Sequence, residues 1–202
     1  MPPIESSIAV LMLWTVIGYL LGSIPFGMVL AKSMNLGNLR DIGSGSIGAT
    51  NVLRTGSKKA AALTLVLDAL KGAVAVLLAR SVAGEDAAQL AGLAAMIGHC
   101  YPVWLKFNGG KGVATFLGLA LALSLPVGIG CCLAWLAGAA LFRISSMASL
   151  ISAAASTFLV VLLDTGPFFA LFAVLTLLIF WRHRSNISRL KAGTEPKIGQ
   201  KT

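Results

Sequence analysis

Apolar runs long enough to cross a membrane recur along this chain, separated by short polar loops. The first covers residues 7–31, the second 60–79 and the third 87–105. A helix of about 20 apolar residues spans a hydrocarbon core of about 30 Å. Of the 202 residues, 57% are hydrophobic and 11% charged, with a mean hydropathy of +0.87. A soluble domain carries roughly a quarter charged residues. The pattern therefore predicts an all-α, polytopic integral membrane bundle. Residues 1–202 read as a single domain without a linker. Gly48-Ala49-Thr50 and Val113-Ala114-Thr115 echo each other too briefly to make a repeat. No Lys or Arg precedes the first run, whereas Glu5 does, so that run is not expected to be a cleavable signal peptide. Cys100, Cys131 and Cys132 lie in or beside apolar stretches without metal-ligand spacing, and read as packing residues.

Charge sets the expected topology. The run 113–142 is too long for one ordinary span and is interrupted at Ser124-Leu125-Pro126. If it crosses twice, the 32–59 loop, Lys106, Lys111, Arg143 and the tail after Trp181 share one side. That side collects 14 of the 16 basic residues against Asp41 and Glu195. The other side has Arg80 against Glu5, Glu85, Asp86 and Asp164. Basic loops stay in the cytoplasm, so two crossings are expected. With 146–163 and 168–181 as the last two spans, the reading is seven helices, N-terminus outside and C-terminus cytoplasmic. Pro25 should break the far end of the first span, within Gly22-Ser23-Ile24-Pro25-Phe26-Gly27. The net charge of +9 follows from this topology, and no nucleic-acid partner is implied.

This arrangement starts three helices on one face, each preceded by a polar segment with a cation. The first segment is Gly43-Ser44-Gly45-Ser46-Ile47-Gly48-Ala49-Thr50-Asn51, with Arg54 just beyond. The second is Asn108-Gly109-Gly110-Lys111-Gly112, and the third Arg143-Ile144-Ser145-Ser146. A fourth, Arg182-His183-Arg184-Ser185-Asn186-Ile187-Ser188-Arg189, emerges on the same face. Glycines let backbone N–H groups turn toward one point, and helix N-termini favour anions. Arg54 offers a planar fork for phosphate and Lys111 a point charge. The second segment is not a nucleotide P-loop: Gly112 follows Lys111 where Ser or Thr is needed, and Leu105 stands where the first glycine belongs. Helix packing and topology could explain any one segment; four on one face point to an anion site. An anion transporter is the rival reading, but transporters place their sites near the midplane in paired repeats.

Gly43 through Arg54 resembles the first motif of the bacterial acyl-phosphate:glycerol-3-phosphate acyltransferases, the PlsY type. Gly98-His99 with Phe107-Asn108-Gly109-Gly110-Lys111-Gly112-Val113-Ala114-Thr115 is similar to their second. Arg182 through Leu190, with Gly193 and Glu195, is similar to their third. Gly22 to Gly27 and Asp68-Ala69-Leu70-Lys71-Gly72 also fit. Ser46 departs from the family's usual Asn. The resemblance implies an enzyme of the bacterial inner membrane, working on the cytoplasmic side. It would move an acyl group from acyl phosphate to the sn-1 hydroxyl of glycerol 3-phosphate, giving lysophosphatidate and phosphate, without a cofactor or metal. The family lacks the His-x4-Asp box of other glycerolipid acyltransferases. Here Trp104 and Ser188 stand five places after His99 and His183, so neither histidine opens one.

On this reading His183, Asn186, Lys111 and Arg54 are the catalytic candidates. Ser44, Gly45, Ser46, Gly48, Thr50, Asn51, Gly109, Gly110, Gly112 and Ser146 are expected to line the phosphate sites. Acyl phosphate is already activated, so direct attack by the glycerol hydroxyl needs no covalent protein nucleophile. The proton acceptor is His183 or a donor phosphate oxygen. The long acyl chain should lie in lipid. His99 reads as a packed histidine, and Asp68 and Lys71, three apart on one helix, as an internal pair. The four tryptophans read as anchors or packing groups, Arg40 and Asp41 as solvated, and the end of the chain, with Lys197 and Lys201, as a mobile tail.

Overall fold

The computed structural model describes residues 2–163 and 165–200, and every regular element among them is helical. The first apolar run forms α1 (Ile8–Gly22) and α2 (Phe26–Ser33), separated at Ser23, Ile24 and Pro25, where the proline ends the amide ladder. A short helix, α3 (Ala49–Leu53), sits inside the first polar loop, where the sequence reading expected none. Then come α4 (Lys58–Ala83), capped by Ser57 accepting from the Ala60 amide, and α5 (Glu85–Cys100).

The 113–142 run divides as expected. Helix α6 (Val113–Leu123) ends at Ser124, whose extended backbone breaks the helix, and α7 (Leu125–Phe142) begins with Pro126 in its first turn. Lys111, just before α6, and Arg143, just after α7, line the same cavity, so the two helices form a hairpin returning to one end. The rest is α8 (Ser145–Leu162), α9 (Phe169–Arg182) and α10 (Arg184–Lys191), with a bend of 62° between the last two. Asp164, placed by the sequence reading in the α8–α9 turn, lies outside the described residues, as does Lys201.

By length and composition four helical segments qualify as spans: Ile8–Ser33, Lys58–Ala83, Leu125–Phe142 and Ser145–Leu162. The bent pair of α9 and α10 would make a fifth. Helix α5, at 16 residues, is shorter than these spans and largely buried, and its alanines let neighbours approach closely. Gly18 and Gly22 of α1 lie directly on the backbone of Ala91 and Ala95, leaving no room for a side chain. The core around α5 is closed by Phe116 and Phe172, whose rings meet edge-on at 6.2 Å, and by Leu119, Leu175 and Ile179. Outside, Leu65, Leu77, Leu133, Leu136, Phe158 and Leu177 are exposed, as lipid-facing side chains are. The chain is an integral membrane protein.

Candidate active site

The polar loops close over one end of the bundle and enclose a cavity of about 760 Å³. The first loop is shaped by Asn51, which is 1% exposed. Its Oδ1 accepts from the Ser44 amide at 3.1 Å, from Ser44 Oγ and from Arg54, and its Nδ2 donates to Leu39 and Ser46 carbonyls. Every polar atom of Asn51 is thus committed to the loop; the expectation that it binds phosphate gives way to a scaffolding role. Gly45 donates to the Ile42 carbonyl and Gly48 to Ser46 Oγ, so those two amides are also engaged. Ser44 and Ser46 line the cavity, and Thr50 does so while bonding Ser145 at the start of α8.

The second loop is held from both sides. The amides of Gly109 and Gly110 donate back to Cys100 and His99 carbonyls of α5, each at 3.1 Å. Arg182 binds the carbonyls of the same two glycines, at 3.3 and 3.1 Å, and stacks over Tyr101. Gly109 and Gly110 therefore shape the turn; their N–H groups are not turned to a ligand as expected. Gly112 is required by its positive φ of 82°, and a side chain there would strike Met96. The first α6 amide with a backbone acceptor is that of Phe116, bonded to Gly112. Lys111 stands at the head of α6, half-buried and lining the cavity.

The third and fourth segments meet at Glu195. Its carboxylate accepts from Ser146 Oγ at 2.7 Å, Asn186 Nδ2 at 2.5 Å and Arg189 Nε at 2.7 Å. Beyond it, Ile198 donates to the Arg143 carbonyl at 2.7 Å, so residues 195–200 fold back along the cavity instead of trailing away as a mobile tail. Asn186 is 3% exposed and its Oδ1 has no partner in the protein. His183 is also enclosed. Its Nδ1 donates to the Ile179 carbonyl at 2.8 Å, which leaves Nε2 as an acceptor. Burial, followed by the Lys111 charge, pushes the imidazole down to about 4, against the opposing pull of the Ile179 bond and Glu195. Burial raises the Glu195 carboxyl, but the bonds from Asn186, Ser146 and Arg189 outweigh it and hold the group below its ordinary value. Burial lowers Lys111 to about 8; Glu195 pulls the other way, while Arg189, Arg54 and Arg182 add to the depression.

Among the described residues, Arg54 and Lys111 make no ion pair. The Glu195 carboxylate near them is taken by Arg189. One part of the cavity wall is apolar, built from Leu53, Leu65, Leu117, Trp135 and Leu136. Leu65 and Leu136 are also exposed on the outer surface of the bundle, so this wall runs out to the lipid-facing side. Trp135 faces the cavity with its indole nitrogen fixed on Ser149. The sequence reading missed Arg40 and Arg182. Arg40 is not simply solvated: it binds the carbonyls of Gly45 and Asn108 and ties the first loop to the second. Arg40 at Asn108 and Arg182 at Gly109 and Gly110 act on carbonyls distant in sequence, and only their place beside glycine-rich loops hints at this.

A cavity lined by unpaired cations and by lipid-reaching apolar residues suits an amphiphilic anion, and it lies in an integral membrane protein. The family model described as Glycerol-3-phosphate acyltransferase matches residues 12–193. The chain belongs to the glycerol-3-phosphate acyltransferase family. It is 69% identical over 202 residues to the Glycerol-3-phosphate acyltransferase of Ruegeria pomeroyi, covering all of both chains. It is 70% identical over 198 residues to that of Roseobacter denitrificans, covering 98% of this chain and 99% of the relative. It superposes on the crystal structure of PlsY (YgiH), an integral membrane glycerol 3-phosphate acyltransferase, in its glycerol 3-phosphate form. The TM-score is 0.89 at 39% identity, over 94% of this chain and 96% of that one. The lysophosphatidic acid form of the same enzyme gives 0.85 at 37% identity, over 94% and 95%.

Proposed function

We propose that this acyltransferase uses acyl phosphate as its donor and acylates the sn-1 hydroxyl of glycerol 3-phosphate, releasing inorganic phosphate. The observation that carries this reading is the pairing of unneutralised Arg54 and Lys111 with an apolar wall in one cavity. A donor with a phosphate head and a long acyl chain matches both kinds of lining, and glycerol 3-phosphate brings a second phosphate to the same cations. The proposal places the loops on the cytoplasmic face of the bacterial inner membrane, in a single domain of seven crossings. That orientation rests on the basic residues gathered at this end.

In the proposed reaction the glycerol oxygen attacks the acyl carbonyl carbon. A carbon–oxygen bond forms to the acceptor, the bond to the phosphate oxygen breaks, and phosphate leaves with its electron pair. Arg54 and Lys111 hold the phosphate charge that grows as the anhydride opens. Ser44, Ser46 and Thr50 supply hydroxyls along the cavity wall, and Gly112 sets Lys111 at the head of α6. Ser146 and Asn186 are oriented by Glu195, and the unpartnered Oδ1 of Asn186 is free to accept from the glycerol hydroxyl. A base near 4 takes up a proton at neutral pH far less readily than a phosphate oxygen whose negative charge grows as the anhydride opens. The departing phosphate is therefore the proposed acceptor of the sn-1 proton, and His183 Nε2 accepts a hydrogen bond from the neighbouring sn-2 hydroxyl, which orients the glycerol backbone.

The test is purified protein in detergent, given palmitoyl phosphate or palmitoyl coenzyme A with glycerol 3-phosphate, the product followed by mass spectrometry. Lysophosphatidate from palmitoyl phosphate alone is the expected result, with NMR placing the ester at sn-1. Product from the coenzyme A thioester only would overturn the donor assignment.

A further inference from the structure

Two nearly buried residues of the cavity lining, Asp68 and His99, belong to a charged cluster that the reaction described above does not use. Lys71 and Asp68 of α4 pair at 2.7 Å, with side-chain exposures of 2% and 3%, among helices packed for a membrane. Ionisable side chains at such depth are costly and are retained for a task. Lys71 Nζ also donates to the Ile24 carbonyl at 2.8 Å, at the break between α1 and α2. The other end of the pair meets α5: Asp68 Oδ1 lies 3.7 Å from His99 Nδ1. His99 Nδ1 is also 3.2 Å from Thr115 Oγ1, in the first turn of α6.

His99 thereby touches both arms of the turn that carries Lys111. Its carbonyl accepts from the Gly110 amide, the Nε2 end of its ring abuts Gly110 where a methyl group would collide, and its Nδ1 reaches Thr115 beyond Lys111. Arg182 closes the same turn from the outer side. Lys111 is left as the member of the turn that projects a charge into the cavity, and its direction is fixed by what holds residues 110 and 115.

We propose that His99 is a positioning residue for acyl transfer, oriented by Asp68 and Lys71, that sets Lys111 on the substrate phosphate. The inference rests on the placement of the site at Lys111. His99 acts through its Nδ1 edge and its shape, not by exchanging a proton with substrate. A misplacement of about 1 Å at a charge-stabilising group can cost on the order of 10²-fold in rate, so loosening this turn should be visible in kinetics without loss of the fold.

The position of the nitrogen gives a test. Asparagine places a polar atom close to where Nδ1 sits, whereas glutamine places one near Nε2, on the Gly110 side. His99→Asn should retain kcat/KM within about fivefold, His99→Gln should lose about tenfold to 10²-fold, and His99→Leu at least as much. The loss should include a raised KM for glycerol 3-phosphate, measured on protein of unchanged melting temperature and size-exclusion profile. The double variant Asp68→Asn with Lys71→Met removes the ions without stranding either, and should show a milder version of the same KM rise. Equal activity of His99→Gln, His99→Asn and wild type would overturn the proposal. So would a set in which His99→Asn is as poor as His99→Leu with KM unchanged, because the imidazole would then be doing chemistry. If His99→Leu does not fold, the Asn and Gln pair decides alone. Wild-type activity that survives Lys111→Ala would sink the site reading itself, whatever the His99 variants do.

Discussion

The two ends of the bundle treat charge in opposite ways. At the end where α1 begins and α4 runs into α5, Arg80 and Asp86 each have local partners. Arg80 pairs with Glu85 at 2.8 Å and caps α6 through the carbonyls of Ala122 and Leu123. Asp86 collects the amides of Glu5 and Ser6 and the Ser6 hydroxyl, fastening the start of the chain to α5. At the loop end, Arg40 and Arg182 are tied to loop carbonyls, and Arg54 and Lys111 have no carboxylate within ion-pair reach among the described residues. At the first end Arg80 and Asp86 are spent on neighbouring groups and helix termini. At the second, the loops are braced so that positive charge is left over. A fold that braces cations without neutralising them leaves them for a ligand.

The sharpest way to break this comparison is Lys111→Ala, which should lower kcat/KM by about 10²–10³-fold, as losing one charge-stabilising donor does, with little change in melting temperature. Arg54→Ala should cost less, about 10–10²-fold, mostly in KM, in line with a hydrogen bond to a charged group. Wild-type behaviour from either would mean that the surplus charge serves topology alone. The pH profile is gentler. Lys111 sits at about 8 in the free enzyme, so kcat/KM should fall about tenfold per pH unit above that value as the ammonium is lost. In Lys111→Arg that alkaline limb should move out of range, since a guanidinium keeps its proton. Smaller again is His183→Ala: activity within about tenfold of wild type fits an orienting role, because an essential base contributes 10²–10⁴.

The asymmetry is partly visible in the amino-acid sequence. The bundle, the break at Pro25, the division of 113–142 at Ser124 and the gathering of four polar segments at one end follow from hydropathy and charge, which are local properties. That Arg54, Lys111, Ser146, His183 and Asn186 would share one cavity was legible for the same reason, because they are polar residues of those segments. Hydrogen-bond ownership was not legible. Asn51, Gly109 and Gly110 looked like ligands because their types suit phosphate, yet their polar atoms are used by Ser44, Cys100 and His99. The return of Glu195 onto Ser146, 49 residues away, also depends on how α8 and α10 pack.

The smallest expected effect lies at the opposite end. Arg80→Ala leaves two α6 carbonyls without their cap and Glu85 without its cation, which should cost about 1–3 kcal/mol of stability. The kinetics of the folded fraction should stay within about twofold of wild type. Glu85→Gln separates the two parts of that loss. It keeps a hydrogen-bond acceptor for Arg80 and removes only the charge of a partly exposed pair, an effect of under about 1 kcal/mol. If the ends are independent, Glu85→Gln should leave KM for glycerol 3-phosphate untouched. A shift in that KM would mean that α6, capped by Arg80 at one terminus and headed by Lys111 at the other, transmits strain along its eleven residues. The two ends would then be coupled through one short helix, and the capped end would be part of the machinery that sets Lys111.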